Sequence, residues 1–105
     1  MFFNSLFIAQ SPDADPDKHQ AKLETGVYRL YVRLVKNQTE ALDIVTDIVE
    51  SKKIHCITLC PGFTNEQVAE ISQVAGPEVG VTVARGDGPG NKIARKAMER
   101  AGWFD

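Results

Sequence analysis

Ile54-His55-Cys56-Ile57-Thr58-Leu59-Cys60-Pro61-Gly62-Phe63-Thr64-Asn65-Glu66-Gln67-Val68 decides the fold. From Ile54 to Cys60 the side chains are nearly all apolar or small, the pattern of a central parallel strand covered on both faces. Thr64-Asn65-Glu66-Gln67 is a capping box in which Thr64 and Gln67 satisfy free backbone donors, and Phe63 and Val68 occupy the positions of a hydrophobic staple. A strand runs into a sharply started helix, the repeating unit of α/β proteins.

Working toward the C-terminus, Gly76-Pro77 ends that helix and Val79 to Ala84 forms another strand. The loop Arg85-Gly86-Asp87-Gly88-Pro89-Gly90 leads into a helix from Asn91 to Ala101, whose inner face carries Ile93, Ala94, Ala97, Met98 and Ala101. Trp103 and Phe104 follow and are expected to dock on the domain or on a neighbour. Toward the N-terminus, Asn37-Gln38-Thr39-Glu40 has capping-box spacing and precedes Ala41, Leu42, Ile44, Val45, Ile48 and Val49 at helical intervals. Before it, Val27 to Val35 alternates, with Tyr28, Leu30, Val32 and Leu34 on one face and Arg29 and Arg33 on the other. The expectation is one buried face and one partly wet. Phe2 to Ala9 reads as the first strand, and Asp15 is placed to cap a short helix from Pro16 to about Glu24.

These elements predict one α/β domain over residues 1–105: a small four-stranded, mainly parallel sheet with helices on both faces, in flavodoxin-like order. The alternative is an α+β mixed sheet, in which the first two strands pair antiparallel because the helix after Asp15 does not form. A sheet this small leaves edges and limited core, so a homodimer or higher homo-oligomer is expected.

Composition narrows the function classes. An apolar fraction of 43% with 25% charged residues is ordinary for a globular chain, and a net charge of -2 supplies no basic footprint for nucleic acid. No run approaches the roughly 20 apolar residues needed to span a bilayer, and the apolar start lacks the basic flank of a signal peptide. Cys56 and Cys60 share a strand face roughly 13 Å apart, too far for a disulfide, which points to free thiols and a cytoplasmic setting.

In open parallel sheets ligands bind beyond the carboxyl ends of the strands, so the turns after the strands are where a site is expected. Arg85 to Asn91 is the foremost of them. Gly86, Gly88 and Gly90 let backbone amides approach a ligand, and a helix N-terminus follows, which suits a phosphate or carboxylate. The segment matches neither a Walker loop nor the full dinucleotide fingerprint, and a plain turn capped by Asp87 or Asn91 explains it without a ligand. Gly62 and Thr64 join this set from the preceding turn. Cys60, just before a helix start, is placed as a nucleophile or acid/base group, with His19 or Asp87 to assist. A small buried hydrophobe is the bland alternative for Cys60. His19 with Asp13, Asp15 and Asp17 lacks the spacing of a calcium loop and reads as a solvated cap, so no metal and no cofactor is expected.

The Asp15-Pro16-Asp17-Lys18-His19 turn, the Leu59-Cys60-Pro61-Gly62-Phe63 turn and the Gly88-Pro89-Gly90 turn, taken with the short first strand, resemble a family of small bacterial domains of uncharacterised function. The resemblance implies a stand-alone domain and brings no activity. The sequence thus supports binding of a small anionic metabolite at the strand ends, ahead of an enzyme built on Cys60 or an oligomeric interaction module.

Overall fold

The computed structural model describes residues 1–104. Five strands form one sheet: Phe3–Gln10 (β1), Gln20–Glu24 (β2), Tyr28–Val35 (β3), Cys56–Leu59 (β4) and Gly80–Val83 (β5), in the order β2-β3-β1-β4-β5. β1 pairs in parallel with β3 and with β4, and β4 in parallel with β5. β2 alone runs antiparallel, along the outer side of β3. Three helices complete the chain: Gln38–Ser51 (α1), Asn65–Ala75 (α2) and Gly88–Arg100 (α3).

The expected four-stranded sheet is therefore a five-stranded mixed one. The four parallel strands do stand in the order β3-β1-β4-β5, but the antiparallel partner is an additional strand in place of the helix drawn from Pro16 to Glu24. Asp15 does cap a turn there, since its side chain accepts from the Asp17 amide and its carbonyl accepts from Lys18 and His19. That turn does not propagate. Gln20 to Glu24 are all good helix formers, yet an unpaired edge of β3 lies alongside and pairing satisfies their backbone groups.

α1 and α2 pack against each other on one face of the sheet, where Leu6, Ile8, Val35, Ile57, Leu59, Ile44, Val45, Ile48, Phe63 and Ile71 form the core. Both starts follow the sequence signals: Asn37 accepts from the Glu40 amide, and Thr64 and Gln67 complete the reciprocal capping box. α2 ends at Gly76, whose φ of 95° lies where a side chain would be strained.

The opposite face carries no helix, which corrects the expectation of helices on both faces. The register places Phe3, Phe7, Tyr28, Leu30, Val32, Cys56 and Thr58 on it, and none of these is buried. The alternation in β3 located its two faces, but the helices lie on the side of the arginines rather than on the expected side, and residues 28–34 are half-buried on both faces. Arg29, Tyr31 and Arg33 point to the helical side, where the Arg33 side chain lies near Ile48 and Lys52 at the end of α1. Arg29 stacks over the Phe2 ring at 3.6 Å and pairs with Glu24 at 3.0 Å, so its charge is neutralised locally. α3 starts at Gly88, earlier than the expected Asn91, and no residue in it is buried.

Candidate functional site

The parallel strands carry their following turns to one end of the sheet, and α3 with the aromatic tail leans over that end. Between them lies a cleft of about 780 Å³. Ala9 and Gln10 at the end of β1, Ser11 and Pro12 after it, Lys36 after β3, and Cys60, Pro61 and Gly62 after β4 form its floor. Asn91, Ala94, Arg95, Met98, Trp103 and Phe104 form the opposing wall. The cleft is thus mainly apolar, with a few polar groups and two cationic side chains, the usual make-up of a small-molecule site.

Each cation is held in part by a neighbour. Lys36 Nζ is 3.4 Å from the Glu40 carboxylate and donates to the Ala14 carbonyl at 3.4 Å. Arg95 lies over the Phe104 ring at 4.3 Å and 3.6 Å from Glu99, both partners on the wall side of the cleft. Such exposed pairs are weak and exchange partners readily, which leaves both cations able to meet an incoming anion. The Met98 carbonyl accepts from the Trp103 amide at 3.1 Å and so turns the aromatic tail back toward the floor.

Cys60 stands at the end of β4, half-buried, and its Sγ accepts the Gln10 amide at 3.4 Å. The Gln10 side-chain oxygen packs against Gly62 beside it, in space that a Cβ at this position would take. His19 lies elsewhere. It precedes β2, three strand spacings or about 14 Å from β4 across the sheet, and its Nδ1 accepts the Asp15 amide at 2.9 Å. Asp87 accepts the Gly90 amide as the N-cap of α3 and does not line the cleft. The three residues named as a catalytic set are therefore not brought together.

Of the residues named for ligand binding, Gly62 and Asn91 line the cleft, whereas Thr64, Arg85, Gly86, Gly88 and Gly90 do not. Thr64 serves as the α2 cap, and Gly88 and Gly90 lie within the first turn of α3. Arg85 is engaged: its guanidinium donates to the carbonyls of Pro61 and Phe63 at 3.2 and 3.0 Å and to the Asn65 side chain at 3.0 Å. It clamps the turn after β5 to the turn after β4. Sequence reasoning missed Gln10, Arg95 and Met98, and it gave the aromatic tail no part in the site. Arg95 and Met98 are three apart on one helix flank, a signal that was present but is indistinguishable from an ordinary solvated helix.

Among the described residues no three His, Cys, Asp or Glu side chains converge as metal ligands, and no helix is long and apolar enough to cross a membrane. The acidic loop is internally bonded, with Ser11 donating to Asp13 at 2.8 Å.

Fold and site together define a small α/β domain with a mixed five-stranded sheet and a strand-end cleft roofed by its last helix. The chain belongs to a family of unknown function, DUF6506, whose profile matches residues 3–99. No curated protein and no solved structure gives a significant match. The resemblance drawn from the turns to a small-domain family of uncharacterised function is borne out at that level.

Proposed function

We propose that the protein binds a small organic anion, a carboxylate or phosphate on an apolar body, in the cleft at the strand ends. The supporting observation is the pairing of Lys36 and Arg95 on opposite sides of a cleft otherwise walled by Pro12, Pro61, Met98, Trp103 and Phe104. Cations fix the charged end and the aromatic wall takes the rest, so affinity rests on buried apolar area and orientation on charge. This shifts the anion site from the Arg85 to Asn91 loop to the neighbouring cleft, because Arg85 already has three acceptors. The reduced cysteines fit a cytoplasmic setting.

Trp103 is the chain's only tryptophan and stands in the wall, so its fluorescence reports on the cleft directly. Titration with benzoate, hexanoate and inorganic phosphate is expected to give a saturable change with the organic carboxylates. A flat response to all three sinks the proposal.

A second reading, an enzyme with Cys60 as nucleophile or acid/base group, draws on its place at the strand end beside the cleft, where the Gln10 amide donates to its sulfur. Selective labelling of Cys60 over Cys56 by iodoacetamide in the folded protein supports it. Equal, slow labelling of both removes it.

A further inference from the structure

Two apolar surfaces of this chain lack a partner, and each is the kind of surface that the other needs. The first is the sheet face opposite α1 and α2. Leu6, Ile8, Ile57 and Leu59 on the covered side are wholly buried, while Leu30, Val32 and Phe7 on the other side are only half-buried, Phe3 is 50% exposed and Leu23 is 66% exposed. A sheet that leaves Phe3, Phe7, Leu23, Leu30 and Val32 on an open face is an exception for a monomer, in which contiguous apolar patches rarely exceed a few hundred Å².

The second surface is α3. One flank of its apolar stripe, Ala94 and Met98, lines the cleft, and the other flank, Ile93, Ala97 and Ala101, meets nothing. Ile93 is 72% exposed. A helix of 13 residues without buried side chains, opening with Gly88-Pro89-Gly90, is marginal in water on its own. Its outward position also lengthens the molecule: the radius of gyration is 14.2 Å and the long axis 42 Å, against about 13 Å expected for a compact domain of this length.

We infer that a second copy of this chain covers both surfaces, the α3 flank of each protomer lying on the open sheet face of the other about a twofold axis. A twofold arrangement requires one self-complementary patch, and a helix stripe beside a bare sheet face on the same chain is such a patch. Five strands at about 4.8 Å spacing and about 13 Å of common length present roughly 300 Å² in projection, enough to seat the roughly 200 Å² flank of the partner's α3. Made twice about the axis, the contact covers roughly 400 Å² of each protomer in projection, which side-chain relief raises toward the roughly 600 Å² per partner at the lower end of standard interfaces. The inference stands apart from the ligand reading, since Ile93, Leu23 and Leu30 do not line the cleft.

The test is sedimentation equilibrium of the full chain with Ile93→Glu and Leu23→Glu variants. Both positions are largely exposed within the protomer, so neither change threatens its fold, and far-UV circular dichroism checks that. The expected result is a wild-type mass of twice the 11.6 kDa chain, with each variant raising the dissociation constant about 30-fold or more. A monomeric wild type at micromolar concentration overturns the inference and leaves the face to a different protein. A dimer that survives both substitutions also overturns it, because association then uses another surface.

Discussion

Arg85 Nη1 donates to the Phe63 carbonyl at 3.0 Å, and through this bond the turn after β5 is fastened to the turn after β4. With the Pro61 and Asn65 bonds, one guanidinium holds the start of α2 and the approach to α3 in a fixed relation. Arg85→Ala is expected to lower stability by about 1–2 kcal/mol, the range of a few partly solvated charge-assisted bonds. Arg85→Lys should recover less than half of that, because an ammonium lacks the planar fork. Urea unfolding midpoints measure both, and an unchanged midpoint for Arg85→Ala would show the clamp to be idle.

The Thr64 cap makes a second stability prediction. Thr64→Ala removes the acceptor for the Gln67 amide and should reduce stability by about 1 kcal/mol, with Thr64→Ser close to wild type. Phe63→Ala, one residue earlier, empties a core position only 1% exposed and should lose about 3–5 kcal/mol. Thermal melts should therefore rank Thr64→Ser above Thr64→Ala and both above Phe63→Ala.

These two neighbours show what was legible in the sequence. The Phe63–Val68 staple and the Thr64–Gln67 box act over a few residues, and such local signals fixed the helix start where it is observed. β2 was not legible for the opposite reason. Gln20-Ala21-Lys22-Leu23-Glu24 prefers a helix locally, and only the bare edge of β3, distant in kind from any propensity, turns it into a strand. The faces of β3 were legible but their burial was not, because alternation gives the period and leaves open which side the helices occupy. The cleft was half legible: its floor follows from topology, whereas Arg95, Met98 and Trp103 arrive through the placement of α3, which no local pattern encodes.

Lys36 and Arg95 should contribute alike to affinity. Lys36→Ala and Arg95→Ala are each expected to weaken an organic carboxylate about tenfold, roughly 1.4 kcal/mol, in Trp103 fluorescence titrations. Arg95→Ala also frees the Phe104 ring and should alter the emission before any ligand is added. Neither substitution touching affinity would separate the cations from binding.

Acid should expose a small electrostatic contribution at the sheet edge. Bonds from Lys22 and then Arg29 hold the Glu24 carboxyl below its ordinary value of 4.5. A depressed folded value means that the stabilisation is present above the unfolded pKa and disappears as pH falls through the folded one. Glu24→Gln is therefore expected to melt slightly earlier than wild type near neutral pH, with the gap closing in strong acid. Because the group is solvent-exposed, molar salt should close the gap as well. A difference that persists in acid would point to packing and away from charge.

The central position of β1 also governs how the chain reaches its fold. Phe3 waits for Tyr28 and Ser5 waits for Cys56, so the central strand precedes both of its flanking partners and no hairpin can shelter it. Parallel pairing of this kind is paid for in loop closure before any contact rewards it, which slows folding and leaves an adhesive segment uncovered meanwhile. Refolding from denaturant should therefore be slow for so short a chain and increasingly lossy as protein concentration rises. During synthesis, β1 cannot be flanked on both sides until the residues through Leu59 have emerged.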